Sequence, residues 1–364
     1  MQRCVLPSIN PSFAQATRSR DPSIHVQRTK LPVISTNAAA MFRHGPPRPP
    51  WRAGAPPPFP YPPPPYGTVP YFGAVAAVRH PPPYPRAVQL QSVTAVNSDA
   101  ELNLIASLLP HYTYVTVDTE YPGTVHRPAA GKRDSDLTAD ERYALLRANA
   151  DELPIVQLGV TLCDEHGNLP VVVDYATGHV AERAWEFNFS DFDVASHRHA
   201  PQSVEFLRSQ GIDFERARRC GVNSAAFADK LSAILAAPRG ANAAELTWVA
   251  FGGAYDLAYL VKMLGGGQPL PETREGFVAR VRELLGGRVF DAKYMAEHCG
   301  RGDLRGVGLR SVAANLGVPR PIVEPPCLAG PKSLTACRIH TVLRMHVLPQ
   351  DAVAGYEGII DGLQ

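Results

Sequence analysis

The sequence predicts an α/β fold, a mixed sheet covered by helices, preceded by a proline-rich leader that does not pack. Three observations lead there. Early strand-like segments are joined by a polar turn, later apolar strands alternate with amphipathic helices, and proline is concentrated in Gly45–Pro85. With 364 residues, 45% of them hydrophobic, the chain can bury a sizeable core outside that stretch.

Charge follows the same division. Before residue 96 there are 10 Lys/Arg against one acid, Asp21, so the net charge of +2 combines a leader at +9 with a remainder at −7. Basic residues can touch phosphates without regard to sequence, but because these are scattered rather than clustered, a soluble, disordered tail is the simpler reading. Within the leader, Pro56–Phe72 (PPPFPYPPPPYGTVPYF) favours extended polyproline II. Such a run either docks on an aromatic-lined partner module or acts as a stiff spacer, and the spacer is the simpler reading. The first 30 residues faintly resemble an organelle transit peptide. Six cysteines lie far apart with no CxxC pair, which fits a reducing compartment rather than a disulfide or zinc scaffold. No apolar run reaches the ~18 residues of a membrane span, so no membrane association is expected.

Order is expected to begin near Asn97-Ser98-Asp99, capping a helix whose Leu102, Ile105, Leu108 and Leu109 recur at helical spacing before Pro110. This divides the chain into a leader, 1–94, and one α/β domain, 95–364. Tyr112–Glu120 alternates with period two and reads as a strand. Glu141–Leu153 is a helix, Ile155–Cys163 a second strand, and Glu165–Asn168 a hairpin turn. Val171–Asp174 and Trp185–Phe189 are strands, while Ser203–Gln210 and Ser224–Leu235 are helices. Leu246–Phe251 is a buried strand feeding the helix Tyr255–Leu264, and Arg274–Leu285 is helical. Arg288–Phe290 precedes a helix at Asp291–Cys299, and Leu309–Leu316 and Ser333–His346 close the order.

The chemistry sits at strand ends. Asp118 and Glu120 are two apart, so a regular strand projects both carboxylates to one face. Carboxylate oxygens are the donors that Mg²⁺ or Mn²⁺ requires. Tyr121-Pro122-Gly123 then breaks the strand and leaves the pair on a rim. Asp256 follows the strand Trp248–Phe251 and a Gly252-Gly253 turn, which places a third acid either at that rim or as an ordinary dipole-favoured residue at a helix start. Asp291 is open to the same two readings, rim acid or helix cap. His197 and His199 form an HxH pair in a polar connection, best read as surface. Gly265-Gly266-Gly267 is a helix stop, since no Lys-Ser/Thr follows as a phosphate loop requires.

Several blocks, in order, resemble the carbon catabolite repressor-associated factor family of deadenylases, within the wider DEDD exonuclease group. They include VTVDTEYPGTVHRP (Val115–Pro128), YALLRANADELPIVQLGVTLCDEHGNLP (Tyr143–Pro170), WEFNF (Trp185–Phe189) and QSVEFLRSQGIDF (Gln202–Phe214). WVAFGGAYDLAYLVKML (Trp248–Leu264), VFDAKYM (Val289–Met295) and LRSVAANLGV (Leu309–Val318) continue the match, which spans about residues 95–348. The resemblance implies a ribonuclease H-like fold and a 3′-to-5′ exoribonuclease that trims poly(A) tails within the CCR–NOT complex, in nucleus and cytoplasm. It also implies two divalent ions, Mg²⁺ or Mn²⁺, with Asp118 bridging both, Glu120 on one and Asp256 on the other.

The same resemblance exposes two substitutions. The family's C-terminal motif resembles H-Q-A-G-S-D-S-L-L-T, supplying a general base and a fourth carboxylate, and this chain reads Cys327-Leu-Ala-Gly-Pro-Lys-Ser-Leu-Thr335. Cys327 stands at the histidine and Lys332 at the acid, and Gly252-Gly253-Ala254 replaces the usual His-Ser-Gly before Asp256. A lysine in place of an acid shifts local charge by two units. Metal binding is expected to be weakened and activity impaired, unless Glu324 substitutes as a ligand. The alternative is a subunit of the same complex that serves as a scaffold or RNA-binding module without turnover, the ammonium standing in for a metal.

Overall fold

Strict alternation in Tyr114–Glu120 gives a strand that can be covered on both faces. Val115 and Val117 point one way, and Thr116, Asp118 and Glu120 point the other. The structure, a computed structural model, describes residues 88–173, 178, 180–237, 244–319 and 328–364. The expectations for the proline-rich leader, Glu324 and Cys327 lie outside the described residues.

The elements run β1 (Val88–Val93), α1 (Ser98–Leu108), β2 (Tyr114–Glu120), α2 (Ala139–Glu152), β3 (Gln157–Cys163), β4 (Val171–Val173) and β5 (Val180–Asn188). Then come α3 (Pro201–Ser209), α4 (Phe214–Cys220), α5 (Ser224–Ala236), β6 (Leu246–Ala250), α6 (Ala254–Leu264), α7 (Arg274–Leu285) and β7 (Gly287–Asp291). The helices α8 (Ala292–His298), α9 (Leu309–Asn315) and α10 (Ala329–Val342) complete them. The strands form one mixed sheet in the order β1-β5-β3-β2-β6-β7, with β4 pairing with β5. The middle is antiparallel, β2 with β3 and β3 with β5, whereas β6 and β7 add in parallel beside β2. That is the ribonuclease H-like arrangement expected.

On one face Val115, Val117, Leu158 and Val160 pack with Leu102 and Ile105 of α1, Phe227 of α5 and Leu260 of α6. On the other, α10 lies across β2 and β3, where the buried hydroxyls of Thr161 and Ser333 bond at 2.9 Å. Burying this much apolar area from both faces is the main stabilising term.

Four boundaries differ from expectation. A strand stands before residue 95, β1, and it pairs in parallel with β5 from Val88↔Glu182 to Val93↔Phe187. Its alternation, VQLQSV, is short and follows directly on prolines, so no turn signal announces it. Asn97 precedes α1, yet its side chain accepts from the Thr94 N–H rather than capping the helix. A further short helix, α4, is capped by Asp213, whose carboxylate accepts from the Arg216 N–H at 2.9 Å. Finally, α10 begins at Ala329 rather than Ser333, so Lys332 lies within its first turn. The remaining helices and strands fall within a few residues of their predicted spans, although β5 extends five residues earlier than expected, to Val180. Among the described residues no helix is long and apolar enough to cross a membrane.

Candidate functional site

Asp118 and Glu120 close β2 opposite Gly159 and Gln157 of β3. Because β6 runs parallel to β2, its C-terminal end and the start of α6 reach the same edge of the sheet. Asp256, in the first turn of α6, accepts from Thr119 twice, from its N–H at 2.7 Å and from its Oγ1–H at 2.6 Å. The Gly252-Gly253 turn makes this possible. Gly252 has φ +64°, and a Cβ on Gly253 would lie 2.1 Å from that of Ala250. Behind the rim, the Tyr121 ring stacks on Tyr255 at 4.7 Å.

The structure decides Asp291. Its carboxylate accepts from the N–H groups of Gly252 (2.8 Å), Gly253 (2.9 Å), Lys293 (2.9 Å) and Asp361 (3.1 Å). It is a cap that fastens the glycine turn and the C-terminal segment, not a rim acid. His197 and His199 stay away from the site in the 193–199 connection, where His197 Nδ1 accepts from the Asp193 N–H. Gly265–Gly267 terminates α6, as expected.

Lys332 reaches in from α10. Its Nζ lies 2.8 Å from Asp118 Oδ2 and 2.9 Å from Glu120 Oε1, so one ammonium bridges both carboxylates. Two glycines bring the helix that close. A Cβ on Gly159 would lie 2.0 Å from the Ala329 carbonyl oxygen, and one on Gly330 would lie 2.5 Å from Leu90 Cδ1. Helix N-termini disfavour cations, so the carboxylates and not the helix hold the lysine there.

Electrostatics follow from burial. Burial raises Asp118 and pushes Glu120 up to about 7, with Lys332 opposing in both cases. Asp256 is driven well above the ordinary carboxylate range by burial and by Asp118, against the pull of the Thr119 bonds. Burial alone would lower Lys332, yet the attraction of Asp118 and Glu120 outweighs it, and the amine is held above its usual value. Lys332 is therefore an ammonium at every physiological pH.

One member of this cluster was not anticipated. Glu186 of β5 is buried beside Glu120, accepting from Gln157 Nε2 at 3.2 Å and from the Gly330 N–H at 3.3 Å. Its signal was available, an acid between aromatic residues in the strand run AWEFNF. Among the described residues the donor set does not suit a pair of divalent ions. A Mg²⁺ bound at ~2.0–2.1 Å by Asp118 and Glu120 would compete with the ammonium for the same inward oxygens. Among the described residues no group of three or more His, Cys, Asp or Glu side chains is arranged to hold a metal.

Comparison with known proteins gives the family. Residues 93–233 match the CAF1 family ribonuclease. The Poly(A) ribonuclease pop2 of Schizosaccharomyces pombe is 34% identical over 257 residues, 70% of this chain and 69% of that protein. The Probable CCR4-associated factor 1 homolog 7 of Arabidopsis thaliana is 34% identical over 236 residues, 64% of this chain and 79% of that one. Among solved structures, S. pombe Pop2p in its Mg²⁺- and Mn²⁺-bound form superposes with a TM-score of 0.62 at 31% identity, over 75% of this chain and 99% of that chain. The yeast NOT1 MIF4G domain co-crystallized with CAF1 gives 0.57 at 26% identity, over 77% and 99%. With these matches joined to a sheet that gathers Asp118, Glu120 and Asp256 at one edge, the chain belongs to the CAF1 ribonuclease family.

Proposed function

We propose that this chain acts in mRNA deadenylation as a CAF1-type subunit of a CCR4–NOT assembly, with its own hydrolytic centre impaired. The poly(A) tail of mRNA is the RNA on which that assembly works, and nucleus and cytoplasm are where it does so. Relatedness supports the assembly, since one matched structure pairs CAF1 with a NOT1 MIF4G domain. The impairment rests on one observation, the Lys332 ammonium bridging Asp118 and Glu120.

In a two-ion hydrolase, the metals activate water and stabilise the leaving oxygen. Here the residues that would hold them do other work. Asp118 and Glu120 neutralise Lys332, while Asp256 fastens α6 to β2 through Thr119. The hydrolytic reading still has an observation in its favour, the convergence of the three carboxylates at one sheet edge.

Two measurements on the full chain test the proposal. Co-purification with a NOT1-type MIF4G domain is expected, and its failure would overturn the assembly role. Labelled oligo(A) with Mg²⁺ or Mn²⁺ should be shortened no faster than by Asp118→Ala. Robust shortening that Asp118→Ala abolishes would overturn the impairment.

A further inference from the structure

We infer that Lys332 is a built-in replacement for a metal ion, supplying from within the chain the positive charge that would otherwise come from a divalent cation, so that this domain is stable and metal-blind without one. The inference deepens the reading of the same site given above and rests on it.

Each buried carboxylate of the cluster already has a protein partner. Asp118 and Glu120 share the ammonium at 2.8 and 2.9 Å. Asp256 takes both donors of Thr119, and Glu186 takes Gln157 and the Gly330 N–H. A buried carboxylate left unpaired is costly, so a site awaiting a metal leaves charge to be neutralised. This one satisfies it in advance.

The lysine is also built in rather than draped over the surface. Its N–H donates to the Leu328 carbonyl at 3.1 Å, and the next residue, Ser333, is fully buried and bonded to Thr161 and to the Gly330 carbonyl. Gly159 allows α10 to sit directly on the sheet, which sets the ammonium over the two carboxylates. A metal entering here would have to displace the ammonium from both carboxylates against its positive charge. Coulomb repulsion between like charges at such short range opposes any metal that approaches, and it doubles for a divalent ion.

The full chain, stripped of metal, is titrated with Mn²⁺ while free Mn²⁺ is followed by electron paramagnetic resonance. Thermal melting is recorded with Mn²⁺ and with EDTA. The natural sequence is expected to take up no more Mn²⁺ than Asp118→Asn does, with the same melting midpoint in both solutions. Lys332→Asp should bind Mn²⁺ at least about tenfold more tightly and melt higher when Mn²⁺ is present. Lys332→Arg keeps the charge and should remain metal-blind, which covers the case in which the acidic variant does not fold. Uptake of Mn²⁺ by the natural sequence that Asp118→Asn removes would overturn the inference. Binding of a MIF4G domain, measured on the same preparation, separates this outcome from a failure of the assembly role.

Discussion

Gly159 of β3 lies directly beneath the Ala329 carbonyl of α10, so close that a Cβ there would stand 2.0 Å from the oxygen. The sheet and the helix touch backbone to backbone at this point. In register, Gly159 also sits between Asp118 of β2 and Glu186 of β5. The contact therefore sets the height of Lys332 above the acidic cluster.

Gly159→Ala should lift the start of α10 and lengthen the Lys332 ion pairs. The expected loss is about 1–3 kcal/mol, the range for overpacking a well-filled core. Urea unfolding measures it, and an unchanged midpoint would show that α10 yields without cost.

Removing the ammonium should cost more than removing the whole triad. Lys332→Met leaves Asp118 and Glu120 buried without a counter-charge, at about 2–4 kcal/mol. That extends below the ~3–5 kcal/mol for breaking a fully buried pair, because 28% of the lysine side chain still meets solvent. Adding Asp118→Asn and Glu120→Gln to Lys332→Met should recover most of the loss. Equal destabilisation of the single and triple variants in urea would contradict the pairing.

His340 predicts an acid limb to stability. Its ring is buried between Tyr114 and Phe290, and burial, then Arg344 and Arg288, push its pKa down to about 3. The unfolded chain, with histidine near its usual ~6.5, binds the proton first, so stability is full above that value and falls as pH drops toward 3. The slope from this group is at most about 1.4 kcal/mol per pH unit. His340→Leu should flatten that part of the profile while leaving carboxylate effects in place. An unchanged pH profile would place the acid sensitivity elsewhere.

Asp291→Ala should loosen two segments together, the Gly252-Gly253 turn and residues near Asp361. Five N–H groups, those of Gly252, Gly253, Lys293, Tyr294 and Asp361, lose their acceptor. Unmet buried donors cost about 1–3 kcal/mol each, less where solvent can enter. Hydrogen exchange should quicken at Gly252, Gly253 and Asp361 in concert. Faster exchange at only one of the two segments would show that they are not coupled.

Much of this was legible in the sequence because local rules carried it. Period-two alternation marked β2, helical spacing ended by Pro110 marked α1, and a glycine stop marked the end of α6. Asp118 and Glu120 could be placed on one face from their spacing alone, and the glycine turn pointed to Asp256. What remained hidden depends on contacts between distant segments. Nothing near Val88 announces that β5 will accept it as a neighbour. Glu186 meets Gln157 and Gly330 only after β5 and α10 have packed, and Asp291 could be told from a rim acid only by its backbone N–H donors. The charge reversal at Lys332 was visible, and with it an ammonium standing in for a metal; the earlier start of α10, at Ala329, was not.

The parallel pairing of β1 with β5 sets an order of events during synthesis. β1 emerges from the ribosome first, yet its partner is made only after α1, β2, α2, β3 and β4. It must wait unpaired until β5 has been made, and only then can it dock at the outer edge of the sheet. A protein trimmed at residue 95 would never receive it. The flank of β5 would stay open, offering unpaired backbone groups to a neighbouring chain, and such a fragment should be prone to edge-to-edge aggregation even though all of its proposed site residues are present.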